Sequence, residues 1–270
     1  MLPLLALLGF WQLSAPLAQW KQEIEKESHA PLVIARVYRD RQQNTITLPP
    51  DTPQRDIAKS YLMKEEFVRQ LMQSYALLIS HHGPAGLVNI IMLNMDRKAE
   101  WASEDAIIAH EMGHVWLKAL DYPVPIIQDG PNMCLGIETG DVVQHILIRR
   151  EMDRRGIDYL EGWRRDLDAA LQKLEDEPAE SSPTEPCRRL RLAALWLDVR
   201  LGLTDATWPN RPRLEAELRT HAAPMLPIVD QIETYLRGVD VASKPVHGEA
   251  LSFVLERLKL IARGGGTEVH

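Results

Sequence analysis

The chain has few cysteines, 2 in 270 residues. Two can make one disulfide at most, and alone they do not distinguish a bridge between Cys134 and Cys187 from two free thiols. No long basic block breaks a net charge of −7, so nucleic acid is not expected as a partner. No internal repeat stands out. Nor is any apolar run long enough for a membrane span, which needs about 20 residues. Residues 1–11 are apolar over about the length of a signal-peptide core, and small residues follow at Ser14, Ala15 and Ala18. No Lys or Arg precedes that run, and no Cys follows it to suggest a lipid anchor. Residues 1–20 are expected to be a signal peptide or hydrophobic N-terminal segment. The protein would then be secreted or periplasmic, with a cytoplasmic or N-terminally anchored protein as the alternative.

What remains is globular in composition, 45% apolar and 26% charged. That is enough chain for a sizeable core in one or two domains.

The most informative stretch is Ala109-His110-Glu111-Met112-Gly113-His114. Ser103 is a good N-cap, and Glu104 and Asp105 suit the positive end of a helix. Ile107, Ile108, Val115 and Leu117 offer core-facing positions. On a helix, residues i and i+4 sit about 40° apart on one face. His110 and His114 can therefore bind one Zn²⁺ at about 2.0–2.1 Å each. Glu111 is placed to act as general base on a metal-activated water. The same polar set on a mostly apolar helix costs desolvation unless a ligand satisfies it. Buried structural histidines are the competing reading.

A two-histidine site needs a third protein ligand and keeps a fourth position open. A second helix, expected over residues 137–155, carries Glu138, Asp141 and His145 on one face. On the helical wheel Glu138 and His145 differ by about 20°, with Asp141 about 60° from Glu138. Glu138 is the expected third ligand, although a carboxylate near a helix N-terminus also suits the dipole. Asp141 is expected to accept the N–H of a ligand histidine. His145 lies about 10.5 Å along the axis from Glu138. It is expected to contact a substrate oxyanion. A plain i, i+4 surface pair explains Asp141 and His145 equally well. Cys134 is a weaker candidate as a thiolate ligand. Arg149, Arg150, Arg154 and Arg155 read as a solvated basic stripe on the same helix.

These residues resemble the zincin metallopeptidases, and within them the gluzincin branch, including ImmA/IrrE-type and minimal gluzincin peptidases. The resemblance rests on His110-Glu-x-x-His114 and, more loosely, on Glu138-x-Gly140-Asp141, and it covers roughly residues 30–155. Many gluzincins carry the supporting aspartate four residues after the glutamate, where this chain has Val142. No third histidine follows His114 closely, and no glycine stands at the spacing of the metzincins, which disfavours that branch. The resemblance implies an α+β fold, with a small sheet over the active-site helix and an edge strand that binds extended peptide.

The upstream pattern fits. Residues 31–38 and 44–48 read as strands. Residues 54–80 read as a long amphipathic helix, and 86–95 as another strand; 87–95 is the candidate edge, with an ordinary buried strand an equal alternative. Beyond 155 the chain reads as mainly helical, closing one side of the cleft, with a proline-rich linker at 178–186 and a glycine-rich tail. His221 and His247 lie in this half, where a surface or capped-core role is the simpler reading. The expected organisation is a zincin-like domain at 21–177, the linker, and a helical subdomain at 187–270.

The expected function is zinc-dependent hydrolysis of a peptide or protein substrate. The alternative is a non-catalytic zincin-like protein, with a structural zinc or a sensor role. A weaker alternative keeps the hydrolytic zinc and changes the substrate to a non-peptide amide.

Overall fold

The computed structural model describes residues 12–40, 42, 45–84, 86–125, 133–178 and 185–264. It is an α+β fold. Helix α1 (Ala15–Ser28) leads into strands β1 (Leu32–Asp40) and β2 (Thr45–Thr47). Helices α2 (Arg55–Leu62) and α3 (Glu65–Gln73) precede strands β3 (Ala76–Gly83) and β4 (Gly86–Asn94). Seven further α-helices follow: α4 (Glu104–Ala119), α5 (Met133–Arg154), α6 (Leu160–Glu175), α7 (Pro186–Gly202), α8 (Arg211–Ala222), α9 (Leu226–Gly238) and α10 (Lys244–Ala262). None of the described helices is long and apolar enough to cross a membrane.

The sheet order is β2-β1-β4-β3. β4 pairs in parallel with β1 and antiparallel with β3. Both faces of the sheet are covered, and the alternation of side chains assigns each residue to a side. Val33, Ala35, Ile79, Ile90 and Met92 pack with Ala58 and Leu71 of α2 and α3. Leu32, Ala76, Ile91 and Leu93 face the other way, toward a core shared with α1 and α4.

Two expectations change here. Residues 54–80 are not one helix. α2 stops at Met63, α3 stops at Ser74, and the chain then extends into β3. Short apolar runs such as Ala76–Ile79 suit a strand or a buried helix equally by pattern. Here both faces of the run are used, Ile79 on one side of the sheet and Ala76 on the other. The candidate edge, residues 87–95, is also interior. β4 lies between β1 and β3, and Val88–Asn94 is buried throughout. The edge on that side is β3.

Part of the expected N-terminal segment is described. Residues 1–11 lie outside the described residues. Ser14–Ala18, read as a cleavage region, caps and begins α1. Leu17, Trp20 and Ile24 of that helix are fully buried. Trp20 meets Trp116 of α4 edge to face at 6.2 Å. Leu17 and Trp20, within the expected N-terminal segment, are therefore part of the folded core.

The C-terminal helices share that core too. One apolar cluster runs from α1 and α4 through α5 to α10. A disulfide between Cys134 and Cys187, Cα atoms 5.7 Å apart, ties the first turn of α5 to the first turn of α7. Cys134 is thereby removed from consideration as a thiolate ligand. Most of the linker (179–184), part of the loop before α5 (126–132) and the tail (265–270) fall outside the described residues.

Candidate metal centre

Helix α4 is built as its residues require. The Ser103 hydroxyl accepts from the Ala106 N–H at 3.2 Å, capping the first turn beside Glu104 and Asp105. Ile108, Met112, Val115 and Leu117 are buried. His110, Glu111 and His114 face a cleft of about 630 Å³.

α5 crosses α4 closely at Gly113. A Cβ at that position would lie 2.6 Å from Ile148 Cγ2. Only a residue without a side chain permits this approach. One turn before Ile148, α5 presents His145 to the two histidines of α4. Ring centroids are 4.7 Å apart for His110 and His145, and 5.6 Å for His114 and His145. One nitrogen from each of His110, His114 and His145 lies within 4.8 Å of the others, a cluster that could hold a metal ion.

The donor set fits such an ion. His110 Nε2 and His114 Nε2 face each other at 3.4 Å. Two nitrogens each about 2.0–2.1 Å from a tetrahedral ion lie about 3.4 Å apart. His145 Nε2 is buried without a hydrogen bond. The His114 Nδ1 contacts Gln144 Oε1 at 3.0 Å, which sets the tautomer that leaves Nε2 as the ligand atom. Carboxylates lie near both nitrogens of His145: Asp141 Oδ1 is 3.5 Å from Nε2, and Asp198 Oδ1 is 4.0 Å from Nδ1.

Electrostatics favour neutral imidazoles. Burial drives His110 down to about 3, helped by His114 and Arg149. Burial lowers His114 and also His145, the latter further depressed by His110, His114 and Arg149. Neutral imidazole is the metal-binding form. Burial pushes the Glu111 carboxyl up to about 7. It raises Asp141 well above the usual range, aided by Glu138, Asp198 and Glu111.

The expected ligand Glu138 is not in this cluster; His145 takes its place. The crossing at Gly113 selects the turn of α5 that meets the histidines, and Glu138 is two turns away, about 10.5 Å along the axis. Its carboxylate lies 3.8 Å from Arg191 of α7. Burial raises it to about 7, against the pull of Arg191. His145, expected to contact an oxyanion, lies within the histidine cluster. Asp141, expected beside His110 or His114, instead has its carboxyl 3.5 Å from His145 Nε2.

Other parts of the cleft escaped sequence reasoning. Tyr75, just before β3, donates to Asp166 of α6 at 2.8 Å. Arg149 is not part of a solvated stripe. Its Nη1 donates to Asp198 at 2.5 Å, and its guanidinium lies 4.4 Å over the Trp163 ring. Arg155 is likewise buried, bound to Glu151 and Glu23, and only Arg150 and Arg154 remain at the surface. Asp198, Trp163 and Asp166 stand on helices after α5, and no local pattern links them to the motif. A second hollow, about 690 Å³ beside the disulfide, is mainly apolar and is lined, of the candidate residues, by the disulfide-bonded Cys134 alone. Compared with known proteins, the chain matches no family model, no curated protein and no solved structure.

Proposed function

We propose that the protein is a zinc-dependent peptidase of the zincin type, with His110, His114 and His145 as ligands and Glu111 as general base. The observation that carries this reading is the meeting of three imidazoles from two helices with a buried glutamate in one open cleft. The ligand set is three histidines, not the two histidines and glutamate that the gluzincin resemblance implies. Three protein ligands with an open fourth position are nevertheless a catalytic arrangement for zinc, whereas structural sites are usually closed by four. Zinc bound there would act as a Lewis acid and lower the pKa of water toward about 7.

The chain's own groups supply the remaining chemistry. Glu111 takes a proton from the attacking water and passes it to the leaving amine nitrogen. Gln144 holds the His114 ring, and the carboxyls of Asp141 and Asp198 flank His145. The first residues of β3 border the cleft, and β3 is an edge strand. An extended peptide can add there through backbone hydrogen bonds, with side chains alternating into and out of the cleft. The disulfide supports an oxidising compartment outside the cytosol.

The test combines metal analysis with a peptide-library digest read by mass spectrometry. Wild type and Glu111→Gln should each carry about one zinc per chain. Turnover should fall by about 10²- to 10⁴-fold in Glu111→Gln. A fully active Glu111→Gln protein, or a wild type that takes up no zinc on reconstitution, sinks the reading.

A further inference from the structure

Arg149 is the only Arg or Lys among the described residues lining the cleft of the histidine cluster. Three helices hold it in place. It stands on α5, one turn after His145. Asp198 of α7 takes its Nη1, and Trp163 of α6 lies against the guanidinium. Gly202 makes room for this stack: a Cβ there would lie 2.4 Å from the Trp163 ring and 3.4 Å from Arg149 Cζ. Trp163 and Asp198 also line the cleft.

Fixed in this way, the guanidinium spends one N–H on Asp198. Its Nε–Nη2 edge has no hydrogen-bond partner among the described residues. That edge is the planar fork that matches a carboxylate with two parallel hydrogen bonds. The restraint by Asp198 and Trp163 removes most of the rotamer entropy that binding would otherwise cost. Of the other carboxylates of the cleft, Asp166 is held by Tyr75 and Glu100 by Arg97, and among the described residues no hydrogen bond or ion pair joins Glu111 or Asp141 to Arg149. One helical turn is about 5.4 Å, the span of one or two residues of extended peptide.

We propose that Arg149 forms a carboxylate-binding subsite that selects peptides presenting a carboxylate within one or two residues of the scissile bond. This rests on the peptidase reading of the same cleft. The carboxylate is either the C-terminus of the peptide, which would make the enzyme trim chain ends, or an acidic side chain within a longer chain.

Binding is measured by calorimetry on zinc-loaded, full-length Glu111→Gln protein, so that hydrolysis does not interfere. The probes are a short acetylated peptide of neutral residues with a free C-terminus, the same peptide as its amide, and an amidated version ending in aspartate. At least one of the carboxylate peptides should bind about tenfold to a hundredfold more tightly than the neutral amide. Preference for the free acid assigns the subsite to the C-terminus; preference for the aspartyl amide assigns it to a side chain. Adding Arg149→Met should erase the difference with zinc content unchanged, and Arg149→Lys should restore part of it. Equal binding of all three peptides, no binding of any, or selectivity that survives Arg149→Met overturns the proposal. So does a wild-type background in which Arg149→Met slows cleavage of acid and amide equally, because that places Arg149 in the reaction rather than in selection. Acid-selective binding by a zinc-loaded wild type that cleaves nothing would leave the subsite standing and remove the peptidase reading.

Discussion

The molecule treats buried histidines in two ways. His221 and His247, in the C-terminal half, are closed into packing. His221 Nε2 meets the Leu174 carbonyl at 3.1 Å. His247 Nδ1 meets the Val241 carbonyl at 3.3 Å, with its ring edge-on to Tyr122. Each can donate its single N–H to a backbone carbonyl. In the cleft, His110 and His114 turn Nε2 atoms toward each other, and His145 Nε2 has no hydrogen-bond partner. Imidazole nitrogens brought within 4.8 Å of one another with no shared partner between them cost stability. The contrast separates a histidine that completes a core from one in a cluster that could hold a metal ion.

The sharpest way to break this contrast is to remove His145. His145→Ala should lose zinc affinity by more than ~100-fold, because even outer-shell changes cost 10–100-fold and this deletes a ligand. Its metal-free fold should be as stable as that of wild type. Glu138→Ala should keep zinc, since Glu138 faces Arg191 rather than the cluster. Elemental analysis and competition with a chelator read both. Zinc lost in Glu138→Ala and kept in His145→Ala would reverse the ligand assignment.

The core histidines should respond in the opposite sense. His247 is fully buried and packs on Tyr122. His247→Ala removes a hydrogen bond and opens a cavity, at a cost of about 2–4 kcal/mol. Chemical denaturation should register that loss while zinc content stays unchanged. A variant that unfolds normally but no longer binds zinc would join the two classes that the comparison separates.

How much of this was legible follows the range of the interactions. The α4 helix, its Ser103 cap and the motif face depend on residues a few positions apart, and the sequence reports them well. The C-terminal helices were legible for the same reason. The helical wheel put Glu138, Asp141 and His145 on one face of α5. A wheel has no coordinate along the axis, so it did not say which turn meets His110. That choice belongs to the crossing with α4, a tertiary event. β3 was misread because its apolar run fits either period until both of its neighbours are known. Arg149 looked like one more cation in a basic stripe. Its partners Asp198 and Trp163 lie on later helices, so no local spacing could reveal that it lines the cleft.

Gly113 is where local sequence and tertiary crossing meet, and it gives the smallest but most specific effect. Within the motif it is a free position, and on an exposed helix Gly→Ala would stabilise by about 1 kcal/mol. Here the added Cβ would sit 2.6 and 2.8 Å from the branched carbons of Ile148, itself buried. Overpacking of this kind costs about 1–3 kcal/mol. The two terms oppose each other, so Gly113→Ala should lower stability by about 1 kcal/mol or somewhat more. The strain is relieved by moving α5 away from α4, which carries His145 off His110 and His114. Zinc affinity should therefore drop several-fold, a larger response than the stability change alone would suggest. Ile148→Ala should free the space, so that in the double variant the Gly113→Ala step becomes neutral or stabilising, a non-additive cycle between residues in contact. If Gly113→Ala instead gains the full helix-propensity benefit with zinc affinity intact, the close crossing does not set the position of His145. The three-histidine centre would then need another origin.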